Sequence, residues 1–244
     1  MDFNDLPKVK WNKDLLRRDK ALIGGEEHPQ FIGKIVKMMK EGTQPRILVL
    51  ADPGHGKTWA CGRLGEILHN ELDVLVGDFD PDYQMTMDPL HWSRSVRNSA
   101  KKIFFMPDVD AVLPSGDYNS PKNKANRQLV YLSRRFGNPL TWDAHEMAKC
   151  PKAVRTNHNI RLVAVGNGDT YKFKAMRVKR KNDSKKEELV TKPLGNWKPD
   201  KPSESTRQRI EELDEEEKES QLIDSEEAIE MKRKKEEIKQ KAFS

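Results

Sequence analysis

The stretch from Arg46 to Thr58, RILVLADPGHGKT, constrains this chain more than any other. An apolar run, Ile47 to Leu50, enters a glycine-bearing loop that closes on Gly56-Lys57-Thr58, and the amphipathic run Ala60, Leu64, Ile67, Leu68 follows. Strand, glycine loop, helix is the layout of a phosphate-binding P-loop, spaced as Gly, four residues, then Gly-Lys-Ser/Thr. Ala51 holds the first position, a small residue in place of the glycine.

A loop that bends back over a helix N-terminus aims several backbone N–H groups at one concave point, where phosphate oxygens fit. The expected cradle is Ala51, Asp52, Pro53, Gly54, His55, Gly56, Lys57, Thr58 and Trp59. Gly54 and Gly56 let the main chain approach the ligand, Lys57 brings a cation to the β and γ phosphates, and the Thr58 hydroxyl can ligate Mg²⁺. ATP and Mg²⁺ are therefore the expected cofactors. The bland alternative is a plain glycine turn before a helix.

Two later segments read as strands ending in acids: Leu72 to Asp80, closing on Asp78 and Asp80, and Lys101 to Asp110, closing on Asp108 and Asp110. In an open parallel sheet the ligand sits at the carboxyl ends of the strands, where one Asp can hold the metal shell and a second carboxylate can polarise water. Four bulky apolar residues, Ile103 to Met106, favour Asp108 and Asp110, with Asp108 as the metal-linked acid beside Thr58. Strand-end Asp residues also cap helices and form turns. From Pro29 to Lys40 the apolar spacing predicts a helix. Pro114 to Asn126 reads as a basic exposed loop with Lys122 and Lys124. A helix over RQLVYLSRRFG ends in Arg134-Arg135, and a strand from Leu140 to Asp143 closes on His145.

Composition places these motifs in one α/β domain with charged appendages. Of 244 residues, 35% are hydrophobic and 34% charged, and the net charge of +6 permits an acidic partner such as nucleic acid. Cys61 and Cys150 offer neither a disulfide framework nor metal-ligand spacing, which points to a reducing, cytoplasmic compartment. No apolar run reaches about 18 residues, so no membrane partner is expected.

The order of parts resembles the FtsK/HerA-like branch of P-loop ATPases, which includes DNA pumps, viral genome-packaging ATPases and Zot-like proteins. The similarity covers roughly residues 45–180 and continues through CPKAVRTNHNIRLVAV. It implies an arginine finger at Arg134 or Arg135 directed at a neighbouring subunit, hence a homo-oligomer, and a phosphate-sensing polar residue at His145. It also implies catalytic roles for Lys57, Asp108 and Asp110, and DNA, expected to be double-stranded, as the partner. Where that branch carries Asp-Glu after the apolar strand, this chain carries Pro107-Asp108. Asp108 then stands in the Glu position, and either it serves both needs with Asp110 or turnover is slow. FFMPDVDAVL also looks like the corresponding region of AAA+ remodellers, and a nucleotide-gated scaffold without turnover is a third reading.

Beyond the last core strand, Ile160 to Val165 returns as Tyr171 to Val178, a hairpin carrying Lys172, Lys174, Arg177, Lys179, Arg180 and Lys181. Such a face suits phosphate tracking on DNA, or protects a sheet edge. The expected fold is α/β: a P-loop NTPase with a mainly parallel central sheet flanked by helices, a terminal β-hairpin and a charged helical or disordered tail. The expected boundaries are an extension at 1–28, the ATPase domain at 29–181, a linker at 182–206, and a tail at 207–244 that is a candidate site for a protein partner.

Overall fold

The computed structural model describes residues 30–113, 121–166, 172–183, 186–216 and 218–219. The N-terminal extension, the Pro114 end of the basic loop and most of the tail lie outside them. Helix α1 (Gln30–Lys40) is followed by strand β1 (Arg46–Leu50) and helix α2 (Lys57–Glu66), which runs on into a π turn, Ile67–Glu71. Next come α3 (Pro81–Gln84), α4 (Pro89–Asn98), β2 (Phe104–Met106), α5 (Val109–Val112), α6 (Pro121–Phe136) and β3 (Leu140–Ala144). Then α7 (Lys152–Asn157), β4 (Ile160–Val165), β5 (Lys172–Asp183) and β6 (Lys186–Trp197) precede a last helix, α8, at 204–216. Among the described residues no helix is long and apolar enough to cross a membrane.

The six strands form one mixed sheet in the order β2-β3-β1-β4-β5-β6. The first four are parallel, and β5 and β6 extend the sheet antiparallel. Alternation along the strands divides the core in two. Ile47, Val49, Ile103, Phe105, Ile160 and Leu162 pack with α1, α2 and α8 on one face. Leu48, Phe104, Met106, Leu140 and Trp142 pack with α4, α6 and α7 on the other. Helix α1 buries Phe31, Ile32, Ile35, Val36 and Met39 and stops at Gly42 (φ +72°). There the Thr43 and Gly42 N–H groups donate to the Met38 and Met39 carbonyls, a Schellman stop that the glycine's left-handed backbone permits.

Three expectations need correction. Leu72 to Asp80 is not a strand. Its backbone is satisfied locally instead: the Phe79 N–H donates to Asn70 Oδ1 at 2.8 Å, the Gly77 carbonyl meets His69 at 2.7 Å, and Asp73 and Gly77 take positive φ. Among the described residues, the edge beside β2 carries an isolated bridge, Met85 to Phe105, in place of a paired strand. Residues 121–126 begin α6 and are not loop. The segment at 182–206 is not a linker either, because β6 pairs along β5 from Lys186 to Trp197. Its residues from 189 to 196 are mostly exposed, as suits an edge strand, which also tolerates Pro193. The helix at 204–216 belongs to the core as well, burying Thr206, Ile210 and Leu213 against α2.

Candidate functional site

The connection after β1 goes to β2 on one side, and the connection after β3 goes to β4 on the other. The carboxyl ends of β1 and β3 therefore flank a crevice where an open α/β sheet places ligands. Into it runs the loop from Ala51, whose N–H donates to the Ala144 carbonyl at 3.3 Å. Gly54 (φ +78°) and Gly56 (φ +61°) hold the left-handed conformations that turn the loop. A Cβ at Gly54 would meet nothing within 4 Å, so the glycine there answers to backbone conformation and not to packing.

Helix α2 starts at Lys57 with no side-chain cap on Gly56. The Ala60 N–H bonds back to the Gly56 carbonyl at 2.9 Å. The N–H groups from Gly56 to Trp59 are those that helix geometry leaves without an intrahelical acceptor, and they open on the crevice. Positive potential collects there.

Lys57 Nζ lies 2.6 Å from Asp108 Oδ1 and 4.0 Å from Asp143 Oδ1. All three residues are buried, as is Thr58. Asp108 follows the short strand β2 and takes φ 42° and ψ 48°, a left-handed backbone that costs a non-glycine residue about 1 kcal/mol. Its N–H donates to Asp143 Oδ1 at 2.6 Å, which holds that geometry. His145 Nε2 completes the group at 3.2 Å from Asp108 Oδ1.

Asp143 is the member that sequence reasoning missed. In β3, Leu140, Trp142 and Ala144 face the α6 side, so Thr141 and Asp143 face α2, and Asp143 pairs in register with Val49 at the end of β1. The signal was present in the alternation of LTWDA. Burial, and then the Asp108 carboxylate, push Asp143 up to about 7; Lys57 and hydrogen bonds from the Asp108 amide and the Thr58 side chain pull it back.

The other predicted residues lie elsewhere. Asp110 Oδ2 accepts the His145 and Glu146 N–H groups at 3.1 and 3.3 Å, bracing the turn after β3. Arg134 and Arg135 end α6 at the opposite edge of the sheet, where the Lys101 N–H donates to the Phe136 carbonyl ahead of β2. The length of β3, about 16 Å for its five residues, separates them from this Lys57. Asp80 caps α3 through the Tyr83 N–H at 3.3 Å, and Asp78 is exposed; neither joins the site.

The Thr58 hydroxyl and the Asp108 and Asp143 carboxylates are an all-oxygen donor set of the kind Mg²⁺ takes. Asp143 Oδ2 is buried without a hydrogen-bond partner, which leaves it available as an acceptor. Among the described residues no three His, Cys, Asp or Glu side chains form a ready-made metal cage. Mg²⁺ needs none, since it keeps waters and takes phosphate oxygens.

No known protein family matches the chain, and no curated protein does. Among solved structures the chain is similar to the crystal structure of the N-terminal domain of zonular occludens toxin from Neisseria meningitidis. The two are 14% identical, the match covers 62% of this chain and 95% of that one, and the TM-score is 0.37. That weak likeness shows neither a family nor an activity.

Proposed function

We propose that this chain binds MgATP at the loop from Ala51 to Trp59 and hydrolyses it as an oligomeric motor acting on double-stranded DNA, in genome packaging or translocation. The observation that carries the reading is the meeting of Lys57, at an uncapped helix N-terminus, with Asp108 and Asp143 at the carboxyl ends of adjacent strands. In this reading the N–H groups of Gly56 to Trp59 hold the phosphates, and Lys57 exchanges its Asp108 partner for the β and γ oxygens. Thr58, Asp108 and Asp143 would hold Mg²⁺, which when bound would neutralise charge on the terminal phosphate. Asp108, released from Lys57, orients the attacking water, and His145 donates a hydrogen bond toward the terminal phosphate. Asp110 keeps His145 in place through the backbone.

Arg134 and Arg135 stand too far away to serve their own site, so a finger role for them requires a neighbouring copy. The exposed Lys172, Lys174 and Lys179 on β5 supply a cationic surface for DNA phosphates. The AAA+ reading expects a helical lid after the last core strand, whereas the described chain continues from β4 as the β5–β6 hairpin.

The test is steady-state ATP hydrolysis with and without double-stranded DNA at low salt, alongside Lys57→Ala and Asp108→Asn. DNA-stimulated turnover, lost by a factor of about 10² or more in both variants, is expected. Tight ATP binding without turnover under any condition would sink the motor and leave a nucleotide-gated scaffold. Stimulation by a protein and not by DNA would point to a remodeller.

A further inference from the structure

The last described helix, α8, lies antiparallel along α2. At its start the Ser203 N–H and the Thr206 hydroxyl both donate to Glu66 Oε1, at 2.9 and 2.6 Å, at the far end of α2 from the phosphate loop. A Cβ on Gly62 would lie 2.5 Å from Thr206 Cγ2 and 3.5 Å from Ile210 Cδ1, so the two helices touch almost backbone to side chain. Thr206, Ile210 and Leu213 make the buried stripe, at 1%, 2% and 1% exposure.

Following α8 toward its C-terminus therefore means following α2 back toward Lys57. Eight residues beyond Thr206 at 1.5 Å each advance about 12 Å, and the five residues from Gly62 back to Lys57 span about 7.5 Å, so Asp214 passes the start of α2 and comes level with the phosphate loop. It sits one turn beyond Ile210, at the margin of the buried stripe, and is itself exposed. Met85 Cε lies 4.0 Å from the Cβ position on Gly62, and Met85 bridges Phe105 of β2, which places α8 on the β2 side of α2. Asp108 ends that strand. The charges of Asp108 and Lys57 both act on Asp214, together with those of Lys218 and of Glu211 on its own face of α8.

We propose that α8 is a wall of the phosphate site and that Asp214 sets the site's selectivity by charge repulsion, disfavouring a polyphosphate in proportion to its net negative charge. The inference rests on the nucleotide reading above and adds a residue from the charged C-terminal segment to it. A fixed negative charge at the mouth discriminates by repulsion, the less costly route to specificity where the attractive groups serve every phosphate alike. Metal-free ATP, with about twice the net charge of MgATP, is penalised more, so the site takes the Mg²⁺-loaded form.

The experiment measures the affinity of the full chain for N-methylanthraniloyl-ATP, with Mg²⁺ or with EDTA, at low and high salt. Wild type is compared with Asp214→Asn, with Glu215→Gln, which removes the same charge from the outer side of the helix, and with Lys57→Ala. Asp214→Asn should tighten the Mg²⁺ complex about 3-fold and metal-free nucleotide about 10-fold. Both gains should shrink between about 0.05 M and about 0.5 M salt, and Glu215→Gln should bind as wild type does. Unchanged or weaker binding by Asp214→Asn, or a gain indifferent to Mg²⁺ and salt, overturns the proposal. Failure of wild type to bind, or equal binding by Lys57→Ala, overturns the nucleotide reading itself.

Discussion

Acid should destabilise this fold through histidines that it holds neutral, and His69 is the cleaner test. The ring sits in the π turn after α2 with Nδ1 2.7 Å from the Gly77 carbonyl, so Nδ1 carries the proton and donates. Nε2 then accepts from Gln84 Nε2 at 3.0 Å and from the Ile103 N–H at 3.4 Å. A second proton would set an N–H against two donors, in a site whose burial already lowers His69 from 6.5 to about 4. In the unfolded chain the proton binds near 6.5. The stabilisation is therefore complete above that value and is lost as the pH falls from there toward 4. At about pH 5 the two values give a loss of about 2 kcal/mol. His158, lowered to about 4 by burial and by Arg161, adds a similar loss. Urea unfolding of wild type and His69→Gln at about pH 7.5 and about pH 5 isolates the term. The variant should start less stable by about 1–3 kcal/mol, because buried donors lose their acceptor. Its further loss on acidification should be smaller than that of wild type by about 1–2 kcal/mol. Equal losses in the two proteins would refute the assignment of His69 as a neutral acceptor.

Asp143→Asn should have the opposite pH signature. A carboxyl raised to about 7 binds its proton more tightly in the folded state, so ionising it costs stability that grows as pH rises from about 4 toward 7. In urea unfolding without Mg²⁺, the Asn variant should be more stable by about 2–4 kcal/mol at about pH 8, with a smaller gain at about pH 5, while Mg²⁺-dependent turnover falls. Gly62→Ala gains about 0.5–1 kcal/mol of helix propensity in α2 but drives a Cβ to 2.5 Å from Thr206. Overpacking of about 1–3 kcal/mol should win, read as lower stability and as faster proteolytic cleavage at 198–203 where α8 lifts away.

Hydrophobic period made much of the scaffold legible: the apolar spacing of α1, the runs of β1 and β3, and the return of β4 into β5 all follow from it. The run LDVLV carries the same signal and forms no strand, because its Leu72 and Val74 N–H groups donate back to the Ile67 and Leu68 carbonyls of the π turn, while His69 and Asn70 take up the Gly77 and Phe79 groups that follow. No periodicity foretells that competition. The strand β6 was hidden for the reverse reason, since an edge strand with one exposed side reads as solvated linker. A helix after 206 was one of the expected alternatives, but its packing on the core was hidden by the charge around it: the Thr206, Ile210 and Leu213 spacing is a helix face, and a polar threonine stands where an apolar residue would have announced it. Lys57 and Asp108 were readable from their motif and strand end. Asp143 was not, because a strand buried on both faces shows its acid as a boundary until the pairing with β1 says which way it points.

The buried titratable groups divide by whether the fold has finished with them. His69 has each ring nitrogen engaged and a tautomer fixed by its neighbours, and nothing about it requires a ligand. Asp143 is as deeply buried but stands beside a second carboxylate, with one oxygen lacking a partner and its proton affinity raised. Next to it Asp108 holds a left-handed backbone, Lys57 is drawn across an uncapped helix end, and the two loop glycines take positive φ. Each of these arrangements is unfavourable or unfinished by the rules that the rest of the chain obeys. They coincide at the carboxyl ends of β1 and β3, and a polyphosphate with its cation would settle all of them together: oxygens for the helix N–H groups and for Lys57, and a counter-charge for the two carboxylates. A purely structural origin would have scattered such costs or closed them locally, as the π turn does around His69.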